Sequence, residues 1–504
     1  MAPRDAQERL STLWREIDDL NSASAVLQWD QETYMPPRGQ AGRGRQLATL
    51  AGLWHEKITA PGLREAIEAC EAQAEPGGDL EALAKEARRL HDRAARVPAA
   101  LTKAIAEANS AGLAAWQAAR KQSDYSLFRD ALARNIQLRR EQAAAIAPDR
   151  PAYDVLMDEF EPGATEAQLE PVFSELRRRL SPLIKAVADS GVVVDESPAR
   201  GSYPEEAQRA FGVEIAAAMG FDFQAGRLDK ATHPFCTTFD LQDVRITWRL
   251  QEDDFRPALF GIMHEAGHGL YEQGLPARWQ GTPLGNAVSL GVHESQSRLW
   301  ENLVGRSRSF WSWALPRFRK HFPGAEGLTV EALWPALHTV EPSFIRVEAD
   351  EGTYNLHVAV RFEIERRLFA GELGVDDLPS AWDDGYEEVL GIRPANHAEG
   401  VLQDIHWAMG AFGYFPTYTL GNLINAQLFE TAQAELGDLD AAFEQGDFAP
   451  LLGWLRHQVH DAGSRWPAAE LVERVTGRPL SADPFLRYIR QVTEEAYGVE
   501  LASV

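Results

Sequence analysis

Apolar residues recur at helical spacing along most of the chain. Near the N-terminus the repeating positions are Leu10, Leu13, Ile17 and Leu20. From about residue 80 to residue 147 the sequence is rich in Ala, Leu, Arg, Glu and Gln, with Pro98 as its main break. These residue types favour helices, and an apolar residue every three or four positions gives a helix one buried face. The pattern predicts long antiparallel helices in this region.

Further helices are predicted wherever the same periodicity returns. Asp483 is a candidate N-cap for the last of them, with Pro484 at the first helical position. The predicted stretches are 166–189, 205–219, 327–340, 354–371, 417–434 and 484–497.

One region, residues 233–250, departs from helical periodicity. Near its end, Val244, Ile246 and Trp248 alternate with Arg245, Thr247 and Arg249. Alternation of this kind is typical of a strand with one buried face. We expect Arg245 to lie on an edge strand, where an extended peptide can add its own backbone.

These elements together predict a mainly α fold with a small β-sheet. The chain shows no Ser/Gly-rich linker, low-complexity tract or internal repeat. We therefore expect a single domain over residues 1–504, built as one large helical body that a cleft divides into two lobes.

Composition narrows the classes of function. The chain has 504 residues, 50 Lys and Arg against 75 Asp and Glu, and a formal net charge of −25. Nucleic acids and anionic lipids bind basic surfaces, so we expect neither as a partner. We expect no signal peptide and no transmembrane segment, because no apolar run has the required length. The chain has only two cysteines, Cys70 and Cys236, so we do not expect a disulfide framework. Such a composition favours a cytoplasmic location, where thiols stay reduced.

The candidate chemistry lies in FGIMHEAGHGLYEQG, residues 260–274. His264 and His268 are four residues apart on a predicted helix, so both imidazoles lie on one face and can bind one metal ion. Glu265 stands beside the first of them, where it can hold a metal-activated water as general base. Gly267 and Gly269 do not favour a helix and indicate close approach by another segment.

A catalytic zinc site needs a third protein ligand and an open position. GVHESQSRLWENLVG, residues 291–305, offers His293, Glu294 and Glu301 on a predicted helix that follows after a loop. Glu272 is too close to His268 along the chain to swing round to the same ion. Spacing alone leaves His293 and Glu294 as alternatives.

Seven short motifs are spread over most of the chain. They are WDQETYMPP (29–37), HPF (233–235), DVRIT (243–247), HEAGH (264–268), HESQ (293–296), IRVEAD (345–350) and GVLQDIHW (400–407). With these motifs, in this order and with no departure at any of their positions, the sequence resembles the carboxypeptidase Taq family of zinc metallocarboxypeptidases. We assign WDQETYMPP only a structural role, since its two prolines end a helix and fix a turn.

The resemblance implies a large helical metallopeptidase fold, like that of neurolysin and angiotensin-converting enzyme, with a small sheet beside a deep substrate groove. It implies a homodimer that removes single amino acids from peptide C-termini with broad specificity. The implied ligands of Zn²⁺ are His264, His268 and Glu294, and such a ligand set also accepts Co²⁺. Glu265 is then the general base, and His293 is a neighbouring residue that either has a structural role or supports the ligands from behind.

Residues 406–422, HWAMGAFGYFPTYTLGN, carry candidate hydrogen-bond donors for the oxyanion. In the related helical metallopeptidases, a His and two Tyr on one such segment contact the substrate and the oxyanion. By that analogy Tyr418 stabilises the oxyanion, with His406 beside it. The alternative is a tyrosine that is simply packed with its hydroxyl satisfied.

An exopeptidase of this kind must also recognise a terminal carboxylate, which suits the planar fork of arginine. Arg346 in IRVEAD and Arg245 in DVRIT are the motif arginines. We favour Arg346 as the carboxylate anchor. The alternative for each is a structural ion pair, with Asp350 for Arg346 and with Asp243 for Arg245.

Two other functions compete with the carboxypeptidase. A zinc oligopeptidase or a dipeptidyl carboxypeptidase would share every residue of the metal site. The non-enzyme alternative is an inactive helical scaffold, against which the intact Glu265 argues.

Overall fold

A computed structural model describes residues 3–501, which fold mainly as α-helices with one small β-sheet. The helices are α1 (Pro3–Thr33), α2 (Gln40–Ile58), α3 (Pro61–Glu71), α4 (Asp79–Arg96), α5 (Ala99–Gln122), α6 (Ser126–Ile146), α7 (Ala152–Met157), α8 (Glu166–Asp189), α9 (Glu205–Met219), α10 (Arg256–Gly274), α11 (Leu290–Arg298), α12 (Arg308–His321), α13 (Val330–Ala336), α14 (Tyr354–Ala370), α15 (Leu378–Leu390), α16 (Pro416–Leu436), α17 (Leu439–Glu444), α18 (Ala449–Gln458), α19 (Ala468–Thr476) and α20 (Asp483–Tyr497). The strands are β1 (Gly226–Lys230), β2 (Cys236–Asp240) and β3 (Asp243–Trp248).

The predicted fold class is confirmed, and most predicted helices lie within a residue or two of their expected bounds. Residues 327–340 are an exception, because only 330–336 are α-helical there. Asp483 is the first helical residue and Ala482 occupies the N-cap, so the predicted N-cap is wrong by one position. Within residues 3–501, no helix is long and apolar enough to span a bilayer.

The three strands form a sheet in the order β1-β3-β2. β1 runs parallel to β3, and β2 runs antiparallel to it. Val244, Ile246 and Trp248 are buried as the alternation predicted, but Thr247 is buried too. Its hydroxyl accepts a hydrogen bond from the backbone N–H of Phe235 at 2.8 Å and donates to that residue's carbonyl, so the buried hydroxyl is satisfied.

The prediction that Arg245 lies on an edge strand is wrong. β3 is the central strand, and its backbone pairs with a neighbour on each side. Alternation reports which residues face the core, not how many neighbours a strand has. The edge positions belong to β1 and β2.

Contacts divide the described chain into two compact units. The first unit contains residues up to 95, 196–334 and 428–478. Its sheet packs on α10, and one of its apolar cores joins α1, α3 and α4 through buried side chains. That core includes Leu10, Trp14, Ile17, Leu63, Ile67, Leu83 and Trp279.

Aromatic rings hold the start of α10 in this first unit. Phe255 precedes the helix and packs edge-on against Phe318 and Trp311 of α12, with ring centroids 4.8 and 5.6 Å away. The carboxylate of Asp254 accepts a hydrogen bond from the N–H of Arg256, and Pro257 lies in the first turn. Such packing and capping fix where the helix begins.

The second unit contains residues 96–195, 335–427 and those from 479 onward. α5 and α6 pack against each other, and α8 begins with a capping box between Thr165 and Gln168. α14 carries a buried polar stripe formed by His357, Arg361 and Glu365, each 0% exposed. Their four-residue spacing places them on one helix face.

Candidate metal centre and active site

The two histidines of the HEXXH motif lie on one face of α10. The Nε2 atoms of His264 and His268 are 3.5 and 3.4 Å from the same carboxylate oxygen, Oε2 of Glu294 on α11. His264, His268 and Glu294 form a group whose ligand atoms all lie within 4.8 Å of one another. It is Glu294, not its neighbour His293, that faces these two nitrogens.

Two glycines allow α10 to approach its neighbours closely. A Cβ on Gly267 would lie 2.7 Å from the carbonyl oxygen of Gln296, on α11. A Cβ on Gly269 would lie 2.5 Å from the ring of Phe221. Both distances are too short for a side chain. The glycines therefore have the role the sequence indicated, and the first lets α11 bring Glu294 to the histidines.

The donor set fits a tetrahedral metal ion. Ligand atoms about 2.0–2.1 Å from a tetrahedral zinc stand roughly 3.3 Å apart, close to the two separations measured here. Two imidazole nitrogens and one carboxylate oxygen leave a fourth position open, as catalytic zinc sites do. The outward Nδ1 atoms of both histidines have other partners.

The Nδ1 atom of His264 lies 2.8 Å from the carboxylate of Glu301. Glu301 belongs to a π-helical turn, Leu299–Val304, that follows α11 directly. π-turns inside helices are frequent at functional sites because they redirect side chains. Arg298 donates to Glu301 at 3.2 Å and to the ligand carboxylate of Glu294 at 2.8 Å. One arginine therefore orients two carboxylates of the cluster.

The charges around the histidines favour a cation. Burial opposes the charge on His264, but Glu294, Glu301 and Glu265 outweigh it and raise its pKa to about 9. Burial, together with His293, lowers the pKa of His268 to about 3, so its ring is neutral with a lone pair for a metal. Although burial opposes the carboxylate charge of Glu294, the nearby His264 and Arg298 lower its pKa.

Glu265 follows His264 directly on α10 and is not one of the three candidate ligands. Its side chain is 5% exposed. Burial raises its pKa to about 7; His264 lowers it, and repulsion from Glu294 and Glu301 adds to the rise. A carboxylate whose pKa lies near neutrality can both accept and return a proton at physiological pH.

The Nδ1 atom of the second candidate ligand, His268, also has a hydrogen-bond partner. Its Nδ1 lies 2.5 Å from Nδ1 of His293, and Nε2 of His293 lies 2.7 Å from the carboxylate of Glu272. His268 and Glu272 are one turn apart on α10, while His293 comes from α11. We call this chain the His268–His293–Glu272 relay.

Of the residues predicted for substrate and oxyanion binding, Arg346, His406 and Tyr418 belong to the second unit and Arg245 to the first. Arg346 is buried and pairs with Asp404, which accepts from its Nε at 3.1 Å and from its Nη2 at 2.8 Å. Its Nη1 donates to the hydroxyl of Tyr354. The alternative pairing with Asp350 is wrong, because that carboxylate caps the backbone N–H groups of Gly352 and Thr353.

Asp404 is shared between two arginines. Its second oxygen accepts from Nε of Arg361 at 2.6 Å. Arg361 also donates to the carbonyl of His357, to Tyr386 and to Gln403, so all five of its N–H donors are engaged. Two arginines against one carboxylate leave a net charge of +1 in a buried cluster.

His406 and Tyr418 lie together in the second unit. Nε2 of His406 is 3.4 Å from the Tyr418 hydroxyl, and the Tyr418 ring centroid is 4.8 Å from the guanidinium carbon of Arg346. Burial lowers the pKa of His406 to about 4, against the pull of Asp404, so the ring is neutral at pH 7. Three of the predicted residues therefore belong to one polar group.

Arg245 belongs to the first unit, where it lies on β3. It donates to both oxygens of Asp243, at 2.9 and 3.0 Å, so the structural alternative considered for it is realised. Its guanidinium stacks on Trp29 at 4.3 Å and on Phe239 at 4.7 Å. The WDQETYMPP motif thus ends α1 and packs its tryptophan on the sheet.

Several contributors escaped sequence reasoning. Asp404 lies 58 residues from Arg346 and 43 from Arg361, so nothing local signals its pairing with either arginine. Arg298 carried a readable signal, since it follows Glu294 by four residues on a predicted helix. The position of Glu272 on the helix bears only on metal binding and carries no signal for its hydrogen bond with His293.

A mainly helical fold with an HEXXH helix and a glutamate from the next helix defines a helical metallopeptidase of the HEXXH class. The family model described as Carboxypeptidase Taq (M32) metallopeptidase matches residues 9–493, and the chain belongs to this family. This confirms the family predicted from the motifs.

Individual relatives cover nearly the whole chain. It is 46% identical to Thermostable carboxypeptidase 1 of Thermus thermophilus, over 99% of this chain and 100% of that protein. It is 36% identical to Carboxypeptidase 1 of Bacillus subtilis, over 96% and 97%. The crystal structure of the M32 carboxypeptidase from Deinococcus radiodurans R1 superimposes with a TM-score of 0.94 at 40% identity, covering 98% of this chain and 100% of that one.

Proposed function

We propose that the chain is a zinc-dependent carboxypeptidase that releases single amino acids from peptide C-termini with broad specificity. The observation that carries the proposal is the convergence of His264, His268 and Glu294 on one point, with Glu265 beside them. Family membership and full-length relatives named carboxypeptidase support the reaction. Among the described residues, this is the one group of His, Cys, Asp and Glu side chains that could hold a metal ion.

Zinc is the metal that the donor set favours, and Co²⁺ would fit the same ligands. When bound, such an ion supplies Lewis acidity, which acidifies water and polarises the scissile carbonyl. His264, His268 and Glu294 hold it, and the partners of their outer atoms orient them. Glu301, Arg298 and the relay provide those partners.

Glu265 is the general base in this proposal. It accepts a proton from the attacking water and later passes it to the nitrogen of the leaving amino acid. A carboxyl group whose pKa is raised toward neutrality suits both transfers. General acid–base catalysis of this kind contributes about 10²–10⁴-fold to the rate.

Arg346 is our choice for the group that binds the substrate's terminal carboxylate. Three of its five N–H donors bond to Asp404 and Tyr354, and two have no partner among the described residues. The cluster of Arg346, Arg361 and Asp404 carries a surplus positive charge, which a carboxylate would neutralise. Arg245, already paired with Asp243, is the second choice.

Tyr418 is proposed as a hydrogen-bond donor to the oxyanion, with His406 beside it. The two side chains lie within 3.4 Å of each other, so both can face the same substrate group. Burial lowers the pKa of His406, so its ring is neutral and has one N–H to donate.

Two further properties are proposed from the resemblance and from composition. A homodimer is expected from the family. A cytoplasmic location agrees with two cysteines, Cys70 and Cys236, that are both free thiols.

The proposal is tested with Glu265→Gln, which keeps the size of the side chain and removes the base. We expect about one metal ion per chain, as in the wild type, with turnover reduced at least ~10²-fold. Glu214→Gln on α9 is the matched control, because that carboxylate pairs with His321 and not with the metal cluster. Wild-type turnover in Glu265→Gln would refute the assigned role, and loss of the metal would make Glu265 a ligand.

A further inference from the structure

The two metal-binding histidines are held by different chemistry. His264 meets a carboxylate directly, that of Glu301 at 2.8 Å. His268 instead meets the imidazole of His293, and only this second ring reaches a carboxylate, that of Glu272. The rings of His268 and His293 lie 4.5 Å apart between centroids, tilted by 39°.

A metal ion bound to His268 would determine the position of each proton in the His268–His293–Glu272 relay. A ring that gives its Nε2 lone pair to a metal keeps its proton on Nδ1 and donates it outward. The Nδ1 of His293 must then accept, so its own proton lies on Nε2. That proton points to Glu272, at 2.7 Å, which accepts it as a carboxylate.

We propose that His293 and Glu272 are positioning residues for the metal ligand His268, fixing its ring orientation and its tautomer through the His268–His293–Glu272 relay. The inference deepens the function proposed above and rests on it, since it needs a metal at His264, His268 and Glu294. It gives His293 a specific task, although this side chain faces away from the ligand nitrogens.

The relay links two helices, because its first and last members lie on α10 and its middle member lies on α11. α10 supplies both ends, His268 and Glu272, at a spacing of four residues that places them on one face. α11 supplies the middle member from the position directly before the ligand Glu294. Tyr271 packs against the imidazole of His293, with ring centroids 5.3 Å apart. One hydrogen-bonded loop therefore ties the second and third ligands to a common frame.

The relay also predicts which properties of Glu272 matter. His293 donates to it, so an amide oxygen at that position would still accept. Glu272→Gln should therefore keep the relay, whereas Glu272→Leu should cut its outer bond. At His293 itself, Asn can place an oxygen near the former Nδ1 position and accept from His268, whereas Leu cannot accept at all.

The test measures Zn²⁺ affinity by competition with a chelator in His293→Leu, His293→Asn, Glu272→Leu and Glu272→Gln. Loss of partners of metal ligands typically costs 10–100-fold in affinity. We expect a loss of about 10–100-fold for His293→Leu, smaller losses for His293→Asn and Glu272→Leu, and less than about 3-fold for Glu272→Gln. The absorption spectrum of the Co²⁺-loaded protein should shift in His293→Leu, because the ligand ring reorients.

His460→Asn is the matched control. This histidine is also buried, and its ring packs on Tyr271 with centroids 5.1 Å apart, but it bonds to Gln296 rather than to a ligand. We expect it to lower the melting temperature without changing Zn²⁺ affinity or the Co²⁺ spectrum. If His460→Asn lowered Zn²⁺ affinity as much as His293→Leu does, the specific role of the relay would be refuted.

Two outcomes separate the relay from the metal site. Wild-type zinc affinity and an unchanged Co²⁺ spectrum in His293→Leu, with only a lower melting temperature, would overturn the relay and leave the metal site standing. Failure of the wild type to bind one ion per chain, or full binding in Glu294→Ala, would instead refute the metal site and this inference with it.

Discussion

Replacing the terminal carboxylate of a peptide by an amide should strongly impair its cleavage, if Arg346 is the anchor. The structure provides the reason for the size of the effect. Asp404 divides its two oxygens between Arg346 and Arg361, which leaves a surplus positive charge and two N–H donors of Arg346 without a protein partner among the described residues. Hydrogen bonds to charged groups contribute about 1.5–3 kcal/mol, so we expect a loss of roughly 10–100-fold in kcat/KM.

The assay compares one peptide as free acid and as amide, in the wild type and in three variants. Arg346→Lys should weaken cleavage of the acid, because an ammonium lacks the planar fork. Arg346→Ala should remove most of the preference for acid over amide. Arg361→Lys is the matched control, since this arginine shares Asp404 but has every donor engaged within the protein. It should keep the preference even if it lowers stability.

Two results would refute this reasoning. Equal cleavage of acid and amide by the wild type would show that no terminal carboxylate is recognised, and would favour an oligopeptidase. An undiminished acid preference in folded Arg346→Ala would move the anchor elsewhere, with Arg245 tested next.

Three further outcomes are expected. Glu294→Ala should weaken Zn²⁺ binding by more than the ~10–100-fold typical of residues behind the ligands, and a smaller loss in equilibrium dialysis than for His293→Ala would contradict the ligand assignment. Tyr418→Phe should lower kcat about 10²–10³-fold with little change in KM, as for a lost oxyanion donor, and unchanged steady-state kinetics would leave Tyr418 a packing residue. Glu365 accepts from Tyr153, Trp407 and Gly413, and burial raises its pKa to about 7 against those bonds. Its folded pKa lies above the unfolded one, so its charge destabilises the protein increasingly as pH rises from about 4.5 to 7. Relative to the wild type, the free energy of unfolding of Glu365→Gln should therefore rise by up to roughly 3 kcal/mol between pH 4.5 and 8. A difference between the two proteins that does not depend on pH would contradict this.

The sequence predicted best those features that depend on local spacing. Four residues between His264 and His268 place both rings on one helix face, whatever the rest of the fold does. Gly267 and Gly269 were readable as points of close approach, and both meet a neighbour that a Cβ would strike.

Features set by long-range packing could not be read in this way. The interval between His268 and residues 293–294 allows either side chain to face α10, and the direction is decided by how α11 returns after its loop. Strand order was also hidden, because β3 pairs with segments on both sides only after the chain has folded. The partner of Arg346 lies 58 residues away, so its ion pair leaves no local pattern.

Mass spectrometry of a free-acid peptide during digestion, with and without a chelator, tests the central claim most directly. It reports activity, metal dependence and the size of the released piece in one experiment. We predict a ladder of products that shorten by one C-terminal residue at a time, which stops with the chelator and resumes when Zn²⁺ is restored. Release of dipeptides or internal fragments, or an unchanged ladder in the presence of the chelator, would contradict a metal-dependent carboxypeptidase.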